Sequence, residues 1–541
     1  MTWSPWRVAA LVLAALILHL ALILPNHPAA ATPAALLLFP LELPAILLLL
    51  VALPAAGAAT RTARILVVVA LLLLVTLKIA DFAMFTALGR PFNLVSDMVL
   101  LDAGWKLSTG AVGQGLATVG VAALLVALAF LTSALWWATG RWSRVVPSSG
   151  WRTAAALGAL LATLYGAAEV GHVMRSWRLP FDPPGAAFTA RVGVERAVLY
   201  RNTLADLARF EEAARSDPLA GRDDLFGRLE GRDVEILFVE SYGRTSFDNP
   251  LYAPTHRPTL EDAGESLAEA GLAVRSGWLT SPISGGQSWL AHATLSTGLR
   301  IDGQTRYSAM LGSPRLTLYD LAAASGYRTA AVMPAITMAW PEAPILGFED
   351  VLAAGDMGYR GQPFNWVTMP DQFTLDRYDA LLGRDDRPRF VQTALISSHA
   401  PWVPVPEMVP WDEVGDGTIF DRWATAGDPP EVVWRDRDRV RDQYRQAIDY
   451  SLQAAFAHVA RRAGDGTLFV VLGDHPPAAF VSQIDSFDVP VHLVGDPATL
   501  ALFAKWRWSE GLVPDATLES WPMEAFRDRF VEAVSGPGSA R

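Results

Sequence analysis

Hydrophobic positions follow two regimes along the chain. Before residue 175 they form long stretches near 7–25, 31–55, 64–88, 111–137 and 153–172. A helix needs about 20 residues to cross a hydrocarbon core of about 30 Å, so each stretch predicts a membrane span. Because four more follow the first, the N-terminus is expected to stay attached rather than be removed as a leader. From residue 234 the apolar runs shorten to VEILFV (234–239), RTAAVM (328–333), FVQTALI (390–396), TLFVVL (467–472) and VPVHLV (489–494). Helical patterns at 259–271, 315–325 and 436–463 lie between them. Buried strands separated by helices predict βαβ units and a mostly parallel sheet covered by helices on both faces. Residues 176–230, broken by Pro180, Pro183 and Pro184 and then helical in spacing over 187–215, read as a juxtamembrane linker containing a helix. The predicted organisation is therefore a five-span transmembrane domain over 1–175, a linker over 176–230 and an α/β domain over 231–541.

Arginine placement orients the spans. Arg7, the pair Arg61 and Arg64, and the trio Arg141, Arg144 and Arg152 fall on one side of a five-span layout. Short positive loops stay in the cytoplasm, so everything after about residue 175 is expected outside it, in the periplasm or extracellular space next to the cytoplasmic membrane. Within or near the spans, Glu42, Lys78, Asp81 and Glu169 are groups that lipid penalises. Lys78 and Asp81, three apart on one helical face, suit a neutralising pair.

Composition narrows the chemistry. Of the 541 residues 51% are hydrophobic and 18% charged, and none is cysteine. The absence of cysteine excludes disulfides, thiolate zinc sites, iron–sulfur clusters and a cysteine nucleophile. Residues 1–175 carry ten Lys and Arg against five Asp and Glu, and the remaining 34 basic and 50 acidic residues leave the rest at −16. Such an outer domain is a poor nucleic-acid binder, and no nucleic-acid partner is expected.

Candidate chemistry is concentrated at the ends of three of the strands. VEILFV runs into Glu240-Ser241-Tyr242-Gly243, FVQTALI into Ser397-Ser398-His399, and TLFVVL into Gly473-Asp474-His475-Pro476. Ligands of such sheets bind at the carboxyl ends of the strands, so a carboxylate, a histidine and an Asp-His pair are delivered to one edge. Glu, Asp and His suit Zn²⁺ or Mn²⁺, and three protein ligands leave a coordination position for a nucleophile or substrate. A fourth element, SGGQSWLAHATLSTG (284–298), predicts a glycine turn opening a helix with Ser288 at its N-terminus. There the helix end favours an alkoxide and an incoming phosphate, while the bland alternative is an N-cap serine. Leu290 breaks the G-x-S-x-G elbow of α/β-hydrolases. Leu290 and His292 likewise stand where a formylglycine sulfatase has a small residue or Pro and an Arg. His292 falls on the Ser288 helix, His256, His458 and His492 read as structural or exposed, and Trp289 and Trp402 flank the site motifs.

This constellation resembles membrane-anchored members of the alkaline phosphatase/sulfatase superfamily, such as lipoteichoic acid synthase and the phosphoethanolamine and phosphoglycerol transferases. The resemblance implies a sulfatase-like fold for the outer domain and one divalent metal, Zn or Mn, held by Glu240, Ser288, Asp474 and His475. It implies Ser288 as nucleophile and His399, in S-S-H-x-P, as the substrate-binding histidine; Met369-Pro370-Asp371 resembles a further family motif. The implied reaction moves a phospho-head-group from a membrane phospholipid to a glycan or lipid acceptor through a phosphoserine. A hydrolase of the same fold and a non-catalytic lipid sensor are the alternatives.

Overall fold

In the computed structural model the chain is described over residues 4–88, 91–95, 97–98, 100–181, 183–365 and 367–536. It forms two compact units, Met1–Asp206 and Leu207–Arg541.

In the first unit, Pro5–Ile23, Ala58–Thr86, Gly113–Ser143 and Ser149–Val173 are helices long and apolar enough to cross a membrane. The stretch 31–55, expected as a fifth continuous span, is broken. Short 3₁₀ turns at Pro28–Ala30 and Pro33–Leu37 precede a helix of 11 residues, Glu42–Ala52, which rises only about 17 Å. Pro33 and Pro40 account for the break, since each lacks the N–H a continuing helix would use. The freed backbone is paired within the protein: Leu41 N–H donates to Ala186 O and Ala186 N–H to Phe39 O, each at 3.1 Å. Lipid could not supply these bonds. Lys78 and Asp81 do not pair with each other. Arg196 reaches Asp81 at 2.6 Å, and Lys78 Nζ donates to Leu22 O and Thr189 Oγ1 at 2.8 and 2.7 Å. Arg196 and Thr189 come from another helix, Phe188–Ala214, which offers better aligned groups than the next turn of the same one.

The second unit is built on one nine-stranded sheet. Its strands are β1 (Val234–Val239), β2 (Ala273–Thr280), β3 (Arg328–Met333), β4 (Asp350–Ala353), β5 (Arg389–Leu395), β6 (Leu468–Gly473), β7 (Asp488–Gly495), β8 (Ser509–Glu510) and β9 (Trp521–Pro522). The order is β4-β3-β5-β1-β6-β7-β2-β8, with β9 beside β2. The five strands from β4 to β6 are parallel, whereas β7 is antiparallel to both β6 and β2, and β8 to β2. The sheet is thus mixed: five of its eight strand pairings are parallel, and only β7 and β8 run against the other strands. Between β6 and β7 the only helix is the four-residue Ala479–Ser482, too little for the crossover that a parallel return requires. The runs read from the sequence correspond to β1, β3, β5, β6 and β7; β2 escaped because Arg275, Ser276 and Gly277 interrupt its apolar pattern.

Helices cover both faces. From β1, Glu235 reaches His458 of the helix Arg437–Arg461 at 3.2 Å, while Phe238, of opposite parity, stacks 4.0 Å from the ring of His292 on the helix Ser288–Thr297. Double coverage explains why every residue of β1 and β6 is buried and why both read as unbroken apolar runs.

At the end of β6, Gly473 lets the turn after β1 pass close by: a Cβ there would lie 1.7 Å from Tyr242 O. Gly473→Ala should therefore destabilise the second unit by roughly 3 kcal/mol or more. Thermal unfolding of the full chain in detergent, followed by near-UV circular dichroism, measures this. An unchanged transition would show that the Tyr242 turn yields without cost.

Candidate active site

Parallel register builds the site. Val239 of β1 pairs with Gly473 of β6 on one side and Leu395 of β5 on the other. The next residues, Glu240, Asp474 and Ile396, therefore leave the sheet side by side, and Ser397-Ser398-His399 and His475 come next at the same edge. Ser398 Oγ–H donates to Glu240 O at 2.6 Å, fixing one turn to the other.

The serine arrives from the opposite side. Gly286 at φ 138° and Gln287 at φ 68° form a left-handed approach that delivers the chain into the helix Ser288–Thr297. Such a conformation costs a non-glycine residue roughly 1–2 kcal/mol. Gly285 N–H holds the turn on Pro476 O at 2.9 Å. Gln287, not Ser288, occupies the N-cap position, and no side-chain bond caps this helix. Ser288 Oγ instead donates to Glu240 Oε2 at 2.7 Å and lies 3.2 Å from His475 Nε2. The hydroxyl is aimed at the cluster rather than at its own helix.

Glu240, Asp474 and His475 each offer one ligand atom, and the three atoms lie within 4.8 Å of one another. All three residues are buried. Asp474 Oδ1 accepts from Ser241 N–H at 2.9 Å and from His475 N–H at 2.6 Å. His475 Nδ1 lies 3.0 Å from Pro476 O, an atom that only accepts, so Nδ1 carries the proton and Nε2 faces the cluster. A second partner fixing the tautomer of a ligating imidazole is usual in metal sites. The donor set fits a divalent metal.

Protein groups alone must share protons here. Burial opposes charge on Glu240, but His475, 3.2 Å away, outweighs it, with His399 adding to the effect; Glu240 is held well below the usual carboxylate range. Burial, reinforced by the Glu240 charge, pushes Asp474 up to about 8. Burial opposes charge on His475 as well, yet Asp474 and Glu240 raise it to about 9. Two carboxylates in this space demand a cation, and an imidazolium is the one the protein itself can supply.

Not every other residue singled out in the sequence reaches the cluster. His399 is exposed at the same edge, with Nδ1 2.5 Å from Ala400 O. Trp402 is buried and donates to Ser398 O at 2.7 Å, whereas Trp289 remains exposed beside Ser288. His256, His458 and His492 are buried away from the cluster. His256 bonds Arg445 O, His458 sits between Glu235 and Tyr378, and His492 sits between Ser276 and Tyr242. Burial lowers His256 to about 4 and His492 to about 3. His292 packs on Phe238, and its Nε2 has no hydrogen-bond partner among the described residues.

Asp371 has a role that the sequence did not disclose. Its Oδ1 accepts from Ile396 N–H at 2.7 Å and Ser397 N–H at 2.9 Å, Oδ2 accepts from Ser451 Oγ at 2.7 Å, and Ser397 Oγ accepts from Asp371 N–H at 2.8 Å. Burial raises it to about 6. It is a latch on the turn that carries His399 rather than a ligand. Met369-Pro370-Asp371 marked the place without indicating the task.

Comparison with known proteins places these residues in context. The family model described as Sulfatase matches residues 252–489, a span that holds Ser288, His399, Asp474 and His475 and starts shortly after Glu240. No curated protein matches the chain. Among solved structures, the chain is similar to the lipoteichoic acid synthase LtaP from Listeria monocytogenes, at 14% identity over 53% of this chain and 71% of that one, TM-score 0.37. It is also similar to the C-terminal periplasmic domain of EcEptC from Escherichia coli in complex with Zn, at 13% identity, 56% and 82% coverage, TM-score 0.38. A third is the Streptococcus pyogenes phosphoglycerol transferase GacH in complex with sn-glycerol-1-phosphate, at 12% identity, 62% and 86% coverage, TM-score 0.37.

Raised values at Asp474 and His475 have a measurable consequence. Metal must displace the protons these groups hold, so its apparent affinity should climb as pH rises from about 6 and level off above about 9. Calorimetric titration of chelator-treated full chain with Zn²⁺ or Mn²⁺, in buffers of different ionisation enthalpy, should show proton release near neutral pH. Uptake without proton release would overturn this account of the cluster.

Proposed function

We propose that this chain, whose residues 252–489 form a sulfatase-family domain, is a metal-dependent transferase. In this reading it moves a phospho-head-group, of phosphoglycerol or phosphoethanolamine type, from a membrane phospholipid to a glycan or lipid acceptor. The observation that carries the reading is the Ser288 hydroxyl, turned onto Glu240 and His475 from a strained helix start.

Glu240, Asp474 and His475 would hold one divalent metal, Zn or Mn, with Ser288 Oγ beside it. When bound, that metal lowers the hydroxyl pKa and offsets phosphoryl charge. Ser288 Oγ attacks phosphorus in line with the lipid alcohol, its proton passing toward Glu240 Oε2, the atom to which it already donates at 2.7 Å. The P–O bond to the lipid alcohol breaks, and His399 Nε2, free of the bond that engages Nδ1, protonates the departing oxygen. The head group is then a phosphodiester on Ser288. An acceptor hydroxyl gives its proton to His399 and displaces Ser288, whose Oγ takes its proton back from Glu240 Oε2, which regenerates the enzyme. The free N–H groups at the start of the Ser288 helix favour the phosphoryl oxygens in both steps.

The same reading puts the second unit outside the cytoplasm. For Arg7, Arg61, Arg64, Arg141, Arg144 and Arg152 to lie together on the cytoplasmic side, the broken segment 28–53 must complete a crossing within the protein. Fusions at residue 541 should give an active alkaline phosphatase and a dark green fluorescent protein; the reverse pair would overturn this topology.

For the chemistry, Ser288→Ala should lower turnover at least about a thousandfold while leaving metal content and melting temperature nearly unchanged. Glu240→Ala, Asp474→Ala and His475→Ala should lower metal content together with turnover. Bis-p-nitrophenyl phosphate turnover, elemental analysis and peptide mass mapping of the 284–298 segment measure the three effects. Wild-type turnover in Ser288→Ala, or an adduct at Ser284, Thr294 or Ser296, would overturn the assignment. Activity without modified acceptor in lipid or glycan extracts would mark a hydrolase instead.

A further inference from the structure

The first unit carries a cleft of about 700 Å³ that is open on one side. This falls within the range of roughly 300–1,000 Å³ of ligand pockets. Its walls come from Ala45 and Ile46, Leu71 and Leu74, Val170, and Val194, on four different helices. Two of those helices, Ala58–Thr86 and Ser149–Val173, are long and apolar enough to cross a membrane, so an acyl chain is the medium around them. An apolar lining of this extent left without a filler would forfeit van der Waals contact along its walls. An apolar chain is the filler that such a wall and such surroundings allow.

One polar feature of the lining is unsatisfied. Glu42 Oε1 accepts from Ala190 N–H at 2.8 Å, but Glu42 Oε2 is buried and has no hydrogen-bond partner among the described residues. The neighbouring polar groups are already committed: Thr189 Oγ1 takes the Lys78 ammonium and gives its own proton to Leu22 O at 2.6 Å. An acceptor left bare in an apolar wall costs free energy that a donor on the ligand would recover. The unmet need is for N–H or O–H, and a carboxylate repels a bare phosphate.

We propose that this cleft is a lipid-binding site for an acyl lipid whose head presents a hydrogen-bond donor to Glu42 Oε2. Two sources share that chemistry: the ammonium of phosphatidylethanolamine and the free hydroxyl of diacylglycerol. The site is independent of the phosphotransfer reading, because occupancy is measured without turnover.

The test uses the full chain in phosphatidylcholine nanodiscs containing a small fraction of one diazirine-acyl probe. The probes are phosphatidylethanolamine, diacylglycerol, and phosphatidylcholine, which has no donor. After irradiation, labelled peptides are mapped by mass spectrometry. Peptides covering residues 71–74 and 162–170 should be labelled by at least one donor-bearing probe about tenfold more than by phosphatidylcholine. Selectivity for phosphatidylethanolamine assigns an ammonium head, and selectivity for diacylglycerol a hydroxyl; either upholds the site. Glu42→Leu should erase the selectivity, and Ala162→Phe, which fills the cleft and keeps the carboxylate, should reduce labelling there by every probe. Labelling at the outward segment 119–126 should not change in either variant. Equal labelling by all three probes, or labelling indifferent to both substitutions, would overturn the proposal.

Discussion

Everything at the candidate site depends on the pairing of β1 with β6. Val239 faces Gly473 in a parallel ladder, and that register makes Glu240 and Asp474 neighbours the moment both strands leave the sheet. A slip of one residue would send Glu240 to the opposite face, since side chains alternate with a period of two. The register is held where slipping is most costly, between two strands whose every residue is buried. Gly473 tightens the constraint, because only a residue without a side chain lets the Tyr242 turn lie so close to β6.

That proximity creates an electrostatic problem, and the surrounding structure is organised around it. Two buried carboxylates repel, so one takes up a proton or a cation must stand between them. His475 is oriented toward them by the Pro476 carbonyl, and the Ser288 hydroxyl approaches from the far side with its donor directed at Glu240. The strain at Gln287 is sustained by the tie from Gly285 to Pro476, which links the serine turn to the His475 turn. Asp371 does for the His399 turn what that tie does for the serine turn: two backbone N–H groups and a serine hydroxyl converge on one buried carboxylate. The clustered groups themselves are few, and the cost of holding them is spread over residues outside the cluster.

In the membrane unit the same rule operates in a harsher solvent. Asp81 and Lys78 are wholly buried, and each reaches a partner on the helix Phe188–Ala214 rather than its neighbour one turn away. The break between Pro33 and Leu41 persists because Ala186 supplies the missing backbone bonds. Glu42 shows the consequence of incomplete satisfaction: one oxygen is used, and the other, lining an apolar cleft, has no partner among the described residues.

The sequence by itself determined the division into an apolar first third and an acidic α/β remainder, the five strands with uninterrupted apolar runs, and the polar residues that come after three of them. Those signals are local: burial on both faces imposes a continuous apolar run, and a strand end imposes a turn. The candidate residues were legible because Glu240, Ser397-Ser398-His399 and Asp474-His475 each sit at such an end, and because Gly285 and Gly286 precede Ser288. Other features belong to the tertiary structure alone. The reversed direction of β7 depends on a connection from β6 too short to cross the sheet, and β2 has a mixed pattern whose burial comes from its neighbours. The broken span at 31–55 was hidden because hydropathy counts apolar residues and takes no account of which N–H groups the prolines remove. Asp371 looked like one more acidic residue, and Lys78 and Asp81 like a pair, since distance along a chain cannot report which distant backbone or guanidinium will be nearest. A buried polar group takes the partner that the packed helices and strands bring to it, and that choice is made in three dimensions.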